Sequence, residues 1–406
     1  MLARDQDGLL EATLALLDGG DGGDAGQWDD SSGWAMWCPA AMIADGARFR
    51  RAAFASGLTA VLASLAARRG LDLPPAWRAY AAEQVGAVAE RQRRFRALLP
   101  EVLVALDEAA VAALPVKGLV VADAVWPDAA WRPMSDLDVV VNPADRARAG
   151  EALVRSGLRR GASAAWEDTY LAWGDGTVGR MDGESPEHNG KVEVHPGWVE
   201  RLHHYLLSDG GVLLGEARPG TVLGAPALTL SPAAGALQVV GHLSACVVRG
   251  EVRPLNVLDA VLCLRALTPD PNAGDALDAA EVAHAAGSGS VGSFRALAAR
   301  LDPRLVYPGL WLVDRYDPAL ASRWPDLPGT RRQLDAAARW AVLRDPTQRR
   351  NLAWRLSFTR TWNERAKVLR QWAIPPSGER GADGTGTLLG SQADRLVRAT
   401  RRGTGR

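Results

Sequence analysis

Apolar residues recur at three- and four-residue spacing from Trp34 to about Leu114. The stretches Gly57–Arg69 and Trp77–Val111 set Ala, Leu and Val among Arg and Glu. That period predicts amphipathic helices, with Pro74-Pro75 marking a turn between two of them. The pattern changes at Pro115. Val116 leads into Lys117-Gly118 and the apolar run Leu119-Val120-Val121, predicting a helix that ends near Trp126-Pro127. Asp136–Val141 reads as a strand, and Pro143–Ser156 as a helix closed by Gly157. Residues 174–190 are rich in Gly, Asp and Glu and read as a loop, after which Lys191–His195 resumes as a strand. From Pro232 the helical signal continues, with proline and glycine interruptions, to about Trp372.

The two ends differ from the rest. The first thirty residues are acidic and glycine-rich and predict a loose arm; from Pro375 Gly, Ser, Thr and Arg dominate and predict a disordered tail. The expected organisation is an arm over 1–33, a helical region over 34–113, a mixed core over 114–230, a second helical region over 231–375 and a tail over 376–406. The fold class is α+β: a small mixed β-sheet core flanked by N- and C-terminal helical regions.

Composition narrows the functional classes. Basic and acidic residues number 47 each, so the net charge is zero and gives no general affinity for nucleic acid or anionic membrane. Cys38, Cys246 and Cys263 stand far apart without a CxxC pair. Such usage fits a reducing compartment and three inert thiols rather than a disulfide framework. The N-terminus has no apolar signal segment, and the uncharged stretch Pro219–Gly241 is broken by three prolines and three glycines. That stretch reads as buried strand and loop leading into a helix, and the protein as cytoplasmic.

The chemistry concentrates in Ser135-Asp136-Leu137-Asp138, directly ahead of Val139-Val140-Val141. On a strand Asp136 and Asp138 point the same way. Two carboxylates this close repel unless something positive lies between them, and a divalent cation is the usual answer. In Lys191-Val192-Glu193-Val194-His195 the polar residues likewise share one face. If the two strands pair, Glu193 completes a three-carboxylate cluster, and His195 either orients a carboxylate or contacts the nucleotide. Lys is scarce, at Lys117, Lys191 and Lys367, and two of these flank the cluster. Lys117-Gly118 reads as a phosphate-facing turn in which glycine lets the backbone approach closely.

Other groupings are weaker. His188, His195, His203 and His204 lack a zinc-ligand spacing. His242 reads as a satisfied core histidine, with Asp259 as its partner or as a partner of Arg253. Trp126, Trp131 and Trp198 read mainly as packing residues.

The run Leu114-Pro115-Val116-Lys117-Gly118-Leu119, then Trp126-Pro127, then Arg132-Pro133-Met134-Ser135-Asp136-Leu137-Asp138-Val139-Val140-Val141, resembles the uncharacterised bacterial nucleotidyltransferases of the NTP_transf_5 type, in the DNA polymerase β-like superfamily. Glu193-Val194-His195 stands for that family's last strand motif, with Trp198 displaced two residues. His242 and Arg253–Asp259 resemble its helical region. The resemblance implies a nucleotidyltransferase core, with Asp136, Asp138 and Glu193 as catalytic metal ligands. It implies Lys117, Gly118, Arg132 and Ser135 as triphosphate contacts. With Lys191 and His195 added from the strand pattern, this is the expected nucleotide site. The expected cofactor is Mg2+ or Mn2+, with a nucleoside triphosphate, ATP by expectation, as donor. The acceptor is a small molecule, sugar or peptide that the sequence does not identify. A kinase-like phosphotransferase and a non-catalytic binding protein on the same fold are the alternatives.

Overall fold

The structure, a computed structural model, describes residues 4–18, 46–70, 75–174, 189–202, 205–249, 251–267, 291–321 and 361–373, with 356 and 359. The expected tail, the loop over 175–188, Cys38 and the pair His203-His204 lie outside the described residues.

Among the described residues four helices precede the sheet: α1 (Arg4–Asp18), α2 (Gly46–Ser56), α3 (Thr59–Arg68) and α4 (Pro75–Glu108). Helix α1 corrects the expectation of a loose arm over the first residues. Leu9, Leu10 and Leu14 are buried there, so one apolar stripe outweighs the acidic composition around it. Helix α4 is long enough to serve two cores: Trp77 and Ala81 pack with the helices, while Phe95, Leu99, Val102 and Leu106 pack under the sheet.

Strand β1 (Ala113–Val116) leads into α5 (Gly118–Val125), then β2 (Asp136–Val141) and α6 (Arg146–Arg155). Gly157 closes that helix at φ 100°, as its position predicted. A hairpin follows, β3 (Arg159–Ser163) and β4 (Asp168–Trp173), then β5 (Gly190–Pro196). The sheet order is β1-β2-β5-β4-β3. Strands β2 and β5 are parallel at its centre, and the other pairs are antiparallel. Leu137, Val139 and Val141 of β2 enter the same core as Val192 and Val194 of β5. The period of two therefore delivers Asp136, Asp138, Lys191, Glu193 and His195 to the opposite face.

Beyond the sheet come two short hairpins, β6 (Val199–Leu202) with β7 (Tyr205–Ser208) and β8 (Arg218–Val222) with β9 (Ala225–Thr229), separated by α7 (Val212–Glu216). The stretch read as buried strand and loop is thus the β8–β9 hairpin, and β8 is exposed for most of its length. Helices α8 (Pro232–Arg249), α9 (Pro254–Ala266), α10 (Val291–Ala298), α11 (Tyr307–Tyr316), α12 (Pro318–Ala321) and α13 (Trp362–Ala373) complete the described chain. Leu9, Leu62 and Trp77 from the start of the chain share one core with Leu237, Val257 and Phe294. The helices before and after the sheet therefore form one body. Among the described residues, no helix is long and apolar enough to cross a membrane.

One ionic contact ties that helical body to the approach of β2. Asp259 on α9 takes both Nε and Nη2 of Arg132, at 2.9 and 2.7 Å, and accepts from Trp126 Nε1 at 2.9 Å. All three side chains are buried. This corrects the expected partners of Asp259, which were His242 or Arg253. Removing one member of such a pair strands the other charge in the interior. Asp259→Ala is expected to cost about 3–5 kcal/mol in urea unfolding. Glu251→Ala, which breaks the more exposed Arg249–Glu251 pair, should cost less than about 1 kcal/mol in the same measurement.

Candidate active site

Parallel pairing of β2 with β5 sets the register Asp136↔Lys191, Asp138↔Glu193 and Val140↔His195. The two strand motifs are therefore side by side. Ligand atoms of Asp138, Glu193 and His195 all lie within 4.8 Å of one another. Asp136 stands next on the same face, its Oδ2 accepting from Ser135 Oγ at 2.8 Å. Lys117 Nζ donates to Asp138 Oδ1 at 2.9 Å, and His195 Nε2 meets the same oxygen at 2.8 Å. His195 is thus in contact with a carboxylate of the cluster.

The turn before α5 carries an unusual backbone at the lysine. The left-handed backbone belongs to Lys117, at φ 55° and ψ −142°, and not to Gly118. A side chain rarely adopts that region, and holding it there costs on the order of 1–3 kcal/mol. The surrounding contacts over-determine it: the Lys117 ammonium is anchored on Asp138. Gly118 instead makes room, since a Cβ there would lie 3.1 Å from Met134 Cε.

Burial and mutual repulsion divide the acids. Asp138 is buried, which disfavours its charge, but Lys117 and the His195 bond outweigh that and hold it well below the usual carboxylate range. Asp136 is pushed up by burial and by Asp138 beside it. Glu193 is pushed up to about 9 by burial, then by Asp136 and Asp138. Lys117 keeps its charge despite burial because Asp138, Glu200 and Glu193 surround it. The group has more carboxylate than the lysine can balance, and that donor set fits a divalent cation.

These side chains line a cavity of about 650 Å3, which also takes in Gly118, Arg132, Ser135, Lys191, Trp166, Glu200, His242, Cys246, Arg249 and Arg253. Every sequence-expected site residue borders it. Arg132 does so with its guanidinium already committed to Asp259. Trp126 and Trp198 are buried in the helical core rather than offered to a ligand.

Arg91 of α4 was not foreseen. Its guanidinium donates to the carbonyls of Met134, Ser135 and Asn189, the last two at 2.9 Å. It thereby clamps the residues ahead of Asp136 to those ahead of Lys191. Gln92 Nε2 adds a bond to the Arg132 carbonyl at 2.6 Å. The signal was present: Arg91 stands three residues after Val88 and four before Phe95, both fully buried, so a charge occupies an apolar position of the helix.

Residues 44–289 match the sequence profile of a family described as uncharacterised nucleotidyltransferase. The match covers more than half of the chain. The chain belongs to this family. Its general activity is nucleotidyl transfer, and nucleotidyltransferases in general use a divalent metal and a nucleoside triphosphate. The buried Asp138–Glu193–His195 group of this nucleotidyltransferase is compatible with the metal. Comparison with curated proteins and with solved structures gave no match.

Glu193 makes the stability of the cation-free nucleotidyltransferase depend on pH. Its folded value lies above its unfolded one, so between about 4.5 and about 9 the folded state holds a proton that the unfolded chain has released. Stability contributed this way is present at low pH and lost as pH rises through that window. In chelator, Glu193→Gln should therefore reduce the fall in urea midpoint between about pH 6 and about pH 8.5. An unchanged fall would show that Glu193 titrates as an ordinary carboxyl.

Proposed function

We propose that this nucleotidyltransferase moves a nucleoside monophosphate from a triphosphate, ATP by expectation, to an acceptor hydroxyl or phosphate. The reading rests on one observation: the β2–β5 register places Asp138 beside Glu193, with Asp136 and His195 adjacent, at the wall of a cavity large enough for a nucleotide. Asp136, Asp138 and Glu193 would hold Mg2+ or Mn2+. A bound cation would neutralise charge on the triphosphate and lower the proton affinity of the attacking oxygen.

The chain's own groups do the rest by position. His195 and Lys117 hold Asp138 ionised and in one orientation. Glu193 keeps its proton in the free protein and releases it as a ligand to the cation, so cation uptake is coupled to proton release. Ser135 and Lys191 stand beside Asp136, and Lys117 and Lys191 supply the positive charge nearest the carboxylates, where phosphate oxygens would sit. Attack of the acceptor oxygen on the α-phosphorus forms the new P–O bond and expels pyrophosphate. No protein nucleophile takes part in this step, which depends on positioning and charge neutralisation.

Isothermal titration with ATP, GTP, CTP and UTP, with and without Mg2+, tests the reading. One triphosphate should bind in a Mg2+-dependent manner, and Asp136→Asn/Asp138→Asn should abolish the dependence while leaving the chain folded. With an acceptor in hand, Asp138→Asn alone should lower turnover on the order of 10²–10³-fold, the cost of removing one stabiliser of transition-state charge. A folded protein that binds none of the four triphosphates would favour a non-catalytic role. Release of nucleoside diphosphate instead of pyrophosphate would move the reaction to the γ-phosphorus.

A further inference from the structure

The wall of the cavity formed by β6 and α8 carries a second set of interacting groups, to which the transfer step above assigns no chemical role. Glu200 on β6 is buried and accepts from Trp198 Nε1 at 3.1 Å. The same Oε1 lies 3.3 Å from Nδ1 of His242. On its other edge, His242 Nε2 stands 3.7 Å from the Sγ of Cys246, one helical turn further along α8. Arg249, a further turn on, places Nη2 at 3.3 Å from that sulfur. Arg249 is itself fixed, by Glu251 at 2.7 Å and by the Arg201 carbonyl at 2.7 Å.

This is the order nucleophile, base and orienting acid. The carboxylate holds the imidazole by one nitrogen so that the other faces the thiol. The i, i+4, i+7 spacing on α8 puts His242, Cys246 and Arg249 on one helical face, and all three line the cavity. Two cationic groups at a sulfur favour its ionised form. A buried thiol with a packing role alone needs neither. Cys263 is the internal contrast: burial and Asp259 push it up, and among the described residues no imidazole stands at its sulfur.

We propose that Cys246 is a thiolate nucleophile, paired with His242 and Arg249 and aligned by Glu200, that takes a soft carbon electrophile inside the cavity. The sulfur forms the new S–C bond and the leaving group departs with the electrons of its bond to carbon. The thiol proton goes to His242, whose Nε2 faces the sulfur. The charged groups facing the sulfur are His242 and Arg249 from its own helix and Glu200 from β6. Lys117 acts on His242, and Glu251 acts on Arg249. Their balance draws the Cys246 thiol down and raises His242 to about 10. The proposal is independent of which nucleotide binds and of whether transfer occurs.

Iodoacetamide alkylation of the full chain tests it, with labelling at Cys246 and Cys263 followed by peptide mass analysis. An ordinary thiol is only about 1% ionised near pH 6.5. Folded Cys246 should therefore label roughly tenfold or more faster than the same cysteine in the urea-unfolded chain, after allowance for the lower nucleophilicity of an acidic thiolate. Its rate should also change little between about pH 6.5 and about pH 8, unlike that of the unfolded chain. His242→Ala should return the folded rate to, or below, the unfolded one. The proposal is overturned if folded Cys246 is protected relative to the unfolded chain, or if its rate rises with pH as an ordinary thiol's does. The folded-to-unfolded comparison needs no variant, so it stands even if His242→Ala fails to fold.

Discussion

Three carboxyl groups on one buried face, with Lys117 bonded to the middle one, set the terms for everything around them. Each acid raises the cost of charging the next, and burial amplifies the repulsion. The chain meets this in two ways. Asp138 is neutralised by Lys117 and held by His195, while Asp136 and Glu193 carry the strain as raised proton affinities. A face arranged like this is poorly suited to be an end in itself. Hydrophobic residues would pack there at lower cost, and the arrangement is compatible with a cation.

The supports of that face come from distant parts of the sequence. Arg91 on α4 bonds to carbonyls ahead of both central strands, and Asp259 on α9 fixes the arginine that precedes β2. Lys117 reaches Asp138 through a backbone conformation that lysine seldom adopts. Here the fold spends stability at the site, in a strained turn and unbalanced acids, and offsets it with buried bonds one layer out.

The two central strands could be read from the sequence because alternation over Asp136–Val141 and Lys191–His195 is a local property. The helix closed by Gly157 could be read for the same reason. The order of the sheet could not, since the β3–β4 hairpin stands between β2 and β5 in sequence but beside β5 in space. Helix α1 was hidden because the glycines and acids that follow it dominate the composition around Leu9, Leu10 and Leu14. Among single residues, Asp136, Asp138 and Glu193 were visible through strand pattern and family resemblance together. Arg91 was visible only as a charge in an apolar position. The Glu200–His242 contact spans 42 residues and left no local trace.

Because β2 and β5 run parallel, the chain must travel back to the starting edge between them, and α6 and the β3–β4 hairpin, which itself joins the sheet beside β5, belong to that return. Its length does not enter the Asp138–Glu193 register. Residues added in its connections would leave the acids opposed. Within 136–141 or 191–196, by contrast, one added residue would turn the acids beyond it into the hydrophobic core. A change of length is thus compatible with the opposed acids in the connections between the two strands and incompatible with them inside the strands.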